Sequence, residues 1–133
     1  MKGNVIFFTS KHQRLFTFIF SWYFGKIKRI TAEKKLLMSG NASGAFLIRD
    51  SESHAQDFSL SIRDENSHIK HYRIQPALDE SGFFIGNRHR SKVVSEKAVV
   101  FHSLVKLVNH YSIQPGGLCI NLRKACLINS EKF

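Results

Sequence analysis

The stretch GAFLIRDSES, Gly44 to Ser53, constrains what this chain can fold into more than any other. Ala45 to Ile48 are apolar without a break, the pattern of a short strand covered on both faces. Arg49 ends that run, and a polar loop follows at once: Asp50, Ser51, Glu52, Ser53. Side chains alternate along a strand, so Arg49 shares a side with Ala45 and Leu47 and points into the protein. A guanidinium held there costs free energy unless an anion meets it with good geometry. Asp50 points to the opposite side and is no obvious partner. These residues describe an arginine prepared for an external anion, with small hydroxyls beside it.

Charge agrees with that reading without naming the anion. Twenty Lys and Arg against ten Asp and Glu give a formal charge of +10. Such a surplus favours acidic partners, more through faster encounter than through tighter contacts. Nucleic acid, anionic lipid and phosphorylated peptide all qualify. The 133 residues suit one domain with one core, and a hydrophobic content of 43% excludes disorder throughout. Cys119 and Cys126 fit neither a zinc spacing nor a disulfide framework, and read as buried thiols of a cytoplasmic protein.

Residues 1–21 carry two apolar runs, Val5 to Phe8 and Leu15 to Phe20, separated by Lys11, His12, Gln13 and Arg14. Neither run approaches the roughly 18 apolar residues of a membrane span. A signal peptide's continuous apolar stretch and small-residue cleavage site are missing. The segment reads as an apolar and basic extension outside the fold.

From Trp22 the organisation changes. A helix is predicted from about Lys28, with Arg29, Ala32 and Leu36 on one stripe and Gly40-Asn41 as its stop. Arg29 falls in the first turn, where a cation is mildly unfavourable, so it is either solvated or meets an anion. After the opening strand, Asp57 to Arg63 alternates Phe58, Leu60 and Ile62 with Ser59 and Ser61, a half-buried strand. Asp64 to Ser67 is a turn, and His68 to Ile74 forms a third strand. Ile69, His71 and Arg73 share one of its faces; Lys70, Tyr72 and Ile74 share the other. Phe83 to Ile85 is a further short strand, and residues 86–100 resist assignment. A second helix runs from Ser103 to Tyr111, Gln114-Pro115-Gly116-Gly117 breaks it, and Leu118 to Leu122 reads as a closing strand. The fold class is α+β, a central antiparallel sheet flanked by two α-helices.

WYFGKIKR, AEKKLL, GAFLIRDSES, DFSLSIRD, IKHYRI, GFFI, LVKLVNHYS and GLCINL, in this order, resemble an SH2 (Src homology 2) domain. The likeness is to those of Src-type cytoplasmic, non-receptor tyrosine kinases, and it spans residues 22–128 apart from 86–100, leaving 129–133 as a tail. It implies a module that binds tyrosine-phosphorylated proteins and peptides in signal transduction. On that likeness Arg49 forks onto the phosphate at the pocket floor, and Arg29 reaches the phosphate and the phenol ring. Ser51, Glu52 and Ser53 match the phosphate-binding loop, and His71 and Arg73 match the walls around the ring. The shared face of His71 and Arg73 agrees independently. Tyr72, Ile85, Tyr111, Gly117 and Leu118 match a second pocket, which in the family takes an apolar residue three positions after the phosphotyrosine. The loop after Ile85 is about ten residues longer than the family pattern, near the upper range for ordinary loops.

A basic domain binding nucleic acid or anionic lipid is the competing reading, and Arg88, His89, Arg90 and Lys92 are its densest cluster. No nucleic-acid motif accompanies that cluster. Kinase signatures are missing from these 133 residues, so no catalytic residue and no cofactor is expected, and the chain reads as a standalone module or a piece of a kinase. His68 and His71 face opposite sides of their strand, so no metal site is expected. The expected partners are phosphotyrosyl proteins, with no specific nucleic acid, no membrane span, at most weak contact with anionic lipid, and a monomeric state.

Overall fold

The computed structural model describes residues 20–86 and 99–128. The expected extension (but for its last two residues), the cluster Arg88, His89, Arg90 and Lys92, and the tail 129–133 lie outside the described residues. The elements run α1 (Arg29–Leu37), β1 (Phe46–Asp50), β2 (Phe58–Arg63), β3 (Ile69–Pro76), β4 (Phe83–Ile85) and α2 (Leu104–Ile113). The four strands form one antiparallel sheet in the order β1-β2-β3-β4.

Strand register divides the sheet into two unlike faces. Phe46, Ile48, Phe58, Leu60, Ile62 and Ile74 share one core cluster with Leu104, Leu107 and Val108 of α2. That cluster is large and apolar throughout. On the other face Ala45 and Leu47 pack with Ala32 and Leu36 of α1 and with Cys126, forming a smaller cluster. Leu47 lies opposite Ser61, Ser61 opposite His71, Arg49 opposite Ser59, and Ser59 opposite Arg73. The face beneath α1 is therefore apolar at one end of the strands and polar at the other. Ser61 is fully buried, so β2 is covered on both sides, more deeply than its alternating pattern implied.

The two helices begin differently. Ser103 caps α2, its hydroxyl accepting the Lys106 N–H at 3.2 Å, a common way to satisfy the first-turn amides. Lys28 gives α1 no side-chain cap, and the first turn of α1 holds no acidic residue. Its C-terminal end is tied down instead: Arg63 Nη1 donates to the carbonyls of Leu36 and Asn41 at 3.0 and 3.1 Å. The helix ends at Leu37, three residues before Gly40, with Ile30 and Leu37 on its exposed side.

Neither lateral edge of the sheet is left open. Ile48 N–H donates to the Trp22 carbonyl and Phe24 N–H to the Ile48 carbonyl, both at 2.8 Å, so the chain before α1 runs along β1. Further along the same edge, Phe46 pairs with Lys124 and Cys126 through an isolated bridge at Ala125. Gly44 has φ of +90°, and a Cβ there would lie 2.5 Å from the Arg123 side chain, so this crossing needs glycine. Phe101 bridges the outer side of β4 at Phe83.

Two features differ from what the sequence implies. Leu118 to Leu122 forms no strand, although Leu118, Ile120 and Leu122 are buried as the alternation implies. The edge of β1 is already occupied by residues 22–24 and 124–126, which leaves residues 118–122 without a strand to pair with. Of the two cysteines only Cys126 is buried; Cys119 is exposed.

Candidate functional site

Arg49 lies at the polar end of the face beneath α1 and is only 3% exposed. Its contacts are long. Nε points to Ser61 Oγ at 3.5 Å, Nη2 to His71 Nδ1 at 3.4 Å, and Nη1 to Glu52 Oε1 at 3.9 Å. Those distances lie at or beyond the edge of ordinary hydrogen bonding, so the guanidinium is buried with most of its donor capacity unspent. Burial pushes its pKa below the usual arginine value, opposed by the nearby Glu52 carboxylate, and the group stays a cation.

His71 is fixed beside it by a chain of donors. Because Arg49 can only donate, Nδ1 of His71 must accept. The Ser61 hydroxyl then donates to Nδ1 at 2.8 Å, and Nε2–H donates to Glu33 Oε2 at 2.8 Å. This pattern assigns His71 as the neutral Nε2–H tautomer. Burial lowers its pKa, against the pull of Glu33, which keeps the ring neutral at pH 7. Glu33 Oε2 also pairs with Arg29 Nε at 3.5 Å, and the hydrogen bond from His71 holds the Glu33 carboxyl below its usual value. Arg29 itself is largely solvated, with its side chain 63% exposed over the site.

The remaining predicted residues surround this pair. Ser51 Oγ accepts the backbone N–H groups of Ser53 and His54 at 3.2 and 3.1 Å, so the loop after β1 curls onto its own hydroxyl. Ser53 Oγ lies 2.9 Å from His54 Nδ1. Ser51 N–H donates to the Asp57 carbonyl at 3.0 Å, closing the loop at its base. Arg73 stands two strands from Arg49 with Ser59 between them, and its Nε pairs with the buried Asp57 carboxylate. Asp50, expected on the opposite side, indeed accepts from the Tyr23 hydroxyl there.

Three residues that the sequence reading did not single out as site residues belong to this constellation: Ser61, Glu33 and Asp57. Glu33 sits four residues after Arg29, the spacing of helical ion pairs, so that contact was readable. Ser61 follows from the same strand parity that places His71. Asp57 gave no warning, since it precedes β2 and meets Arg73 diagonally, a contact set only by the β2–β3 register.

The second predicted group gathers on the α2 side. Tyr72, Ile85 and Tyr111 pack, half-buried, against the large core cluster that includes Leu118. The Cys119 backbone N–H donates to the Tyr72 hydroxyl oxygen at 2.9 Å, tying β3 to the loop that carries Gly117 and Leu118. Burial pushes the Tyr72 phenol up to about 12 and raises that of Tyr111 as well. A Cβ on Gly117 would meet nothing within 4 Å, so this side of the group is open. His110 is half-buried, with its ring 5.0 Å from that of Phe101.

Among the described residues no group of three or more His, Cys, Asp or Glu could hold a metal ion. No helix among them is long and apolar enough to cross a membrane. The arrangement has the chemistry to receive an anion: a buried guanidinium, a solvated one above it, a third to the side and a hydroxyl-rich loop.

Comparison with known proteins identifies the family. The chain is similar to tyrosine-protein kinase FRK of Homo sapiens, 46% identical over 106 residues. It is similar to tyrosine-protein kinase Fgr of Mus musculus, 46% identical over 109 residues, and of Rattus norvegicus, 44% over 111. These matches cover 79–80% of this chain and 19% of each relative, so the chain spans about a fifth of the length of these curated relatives. Residues 22–111 match the family model for the SH2 domain, and with the four-stranded sheet between two helices this chain belongs to the SH2 family of phosphotyrosine-binding modules.

Proposed function

We propose that Arg49 is the floor of the phosphotyrosine pocket, with Arg29 above it, the loop Ser51-Glu52-Ser53 around the phosphate, and His71 and Arg73 beside the ring. The observation that carries this reading is that Arg49, only 3% exposed, has its nearest carboxylate oxygen among the described residues 3.9 Å away. A phosphate brings about −1.5 to −2 of charge and three acceptor oxygens, enough to receive a forked pair of N–H bonds. Tyr72, Ile85, Tyr111, Gly117 and Leu118 form a second contact for apolar residues after the phosphotyrosine. The cellular setting that fits is cytoplasmic tyrosine-kinase signalling, with the chain acting as a monomeric reader, either standalone or as part of a Src-type non-receptor kinase.

The test is fluorescence anisotropy of the full chain against a phosphotyrosyl peptide library. Two charge-assisted bonds, each contributing roughly 1.5–3 kcal/mol, correspond to about a hundredfold or more in affinity. Arg49→Leu is expected to lose binding at least to that extent while keeping its circular dichroism spectrum. Arg49→Lys is expected to lose most of it too, because a point charge cannot fork. Unchanged affinity in Arg49→Leu would remove this residue from the site.

A further inference from the structure

The side chain of Glu52 has a role that a loop contributing only backbone amides would not need. Its Oε1 accepts the Arg29 backbone N–H at 3.1 Å and stands 3.9 Å from Arg49 Nη1. Helix α1 has no cap from Lys28 and no acidic residue in its first turn, so Glu52 supplies from outside what the helix lacks. One carboxylate thus answers two separate demands, a first-turn amide at the positive end of α1 and the buried guanidinium of β1. These are also the two kinds of donor that a phosphate group prefers.

We infer that Glu52 is an internal competitor, a carboxylate that the phosphate of an incoming phosphotyrosine displaces from the Arg29 amide and from Arg49. The inference rests on Arg49 being the phosphate floor, as proposed above. The contest has a clear direction. Glu52 offers one charge at 3.9 Å, outside hydrogen-bond length and unforked, whereas phosphate offers nearly twice the charge and fits the guanidinium fork. With its side chain 51% exposed, Glu52 can turn out into water once displaced. What it does in the meantime is subtract from phosphate affinity. Exposed ion pairs are weak, so the subtraction is about two- to fivefold in Kd.

Three proteins decide the matter: the wild-type chain, Glu52→Gln and Glu65→Gln. Glu52→Gln keeps an oxygen for the Arg29 amide and removes the charge. Glu65→Gln removes the same charge in the exposed turn between β2 and β3. Phenyl phosphate, which carries no peptide sequence, is titrated into each while NMR follows the Arg29 amide and the Arg49 Nε–H. The expected result is about two- to fivefold tighter binding in Glu52→Gln, no change in Glu65→Gln, and a melting temperature in Glu52→Gln no higher than wild type. Equal or weaker binding in Glu52→Gln, with the wild type binding, overturns the competitor role and leaves the phosphate site standing. An equal gain in Glu65→Gln reduces the effect to net charge and overturns it as well. No response at Arg49 in any of the three overturns both this inference and the site beneath it.

Discussion

Glu33 and His71 meet at 2.8 Å between α1 and β3, and the carboxylate receives the imidazole Nε2–H. This contact joins the helix to the sheet at the polar end of the face they share. It also makes the site's stability depend on a proton.

An unfolded histidine takes up its proton near pH 6.5, and folded His71 does so lower because burial disfavours the cation. Between those two values the unfolded state holds more protons than the folded one. Stability therefore falls as pH drops below about 6.5, and the loss ends once folded His71 is itself protonated. Glu33 adds a second loss further down: its contribution is present above its ordinary value of 4.5 and disappears as pH falls through its lowered folded value. Urea midpoints at pH 7.5 and 5.5 are expected to show lower stability at 5.5 in the wild type and a smaller difference in His71→Gln. Identical drops in both proteins would show that another group is responsible.

The Arg73–Asp57 pair should respond unequally to its two deletions. Asp57 is buried, with a side chain 7% exposed, while that of Arg73 is 37% exposed. Arg73→Ala strands a buried carboxylate; Asp57→Ala leaves a guanidinium that can turn to water. We expect Arg73→Ala to cost about 2–3 kcal/mol and Asp57→Ala roughly 1 kcal/mol less in chemical denaturation, since a partly solvated pair falls short of the fully buried case. The reverse order would mean that the carboxylate is better hydrated than its burial implies.

Tyr72→Phe removes a single acceptor, the phenol oxygen that receives the Cys119 N–H. The ring stays, and so does its packing against the core. Global stability is expected to fall by no more than about 1 kcal/mol. Hydrogen exchange should accelerate selectively at Cys119, because the loop of residues 115–120 loses its tie to β3. Unaltered protection at Cys119 would mean that other contacts hold that loop.

Sequence patterning reports burial well and pairing partners poorly, and particular residues show why. Period-two alternation was enough to place Arg49 on the side of Ala45 and Leu47, and His71 with Arg73 on one face of β3, because the pleat leaves no other choice; strand register then brings these two sets together with Ser61. The stripe of Ala32 and Leu36 likewise marks the buried side of α1. Leu118, Ile120 and Leu122 alternate just as convincingly and are buried, yet form no strand. Whether an alternating segment joins a sheet depends on a free edge, and that edge is filled by two segments from opposite ends of the described residues, 22–24 and 124–126. The same limit hid Asp57 as the partner of Arg73 and Glu33 as the partner of His71, since both pairs exist only once register and helix position are set.

Helix α1 is fastened at both ends by different parts of the protein. Glu52 holds the first amide beside the proposed anion site, and Arg63 grips the Leu36 and Asn41 carbonyls at the far end. Nine residues at about 1.5 Å each make a rod of roughly 13 Å, so a tilt of about 5° at one end moves the other by about 1 Å. That is a large fraction of the tolerance of a charge-assisted hydrogen bond. The grip of Arg63 is thus a fulcrum for Arg29: altering a residue remote from the proposed site should reset where the upper cation stands.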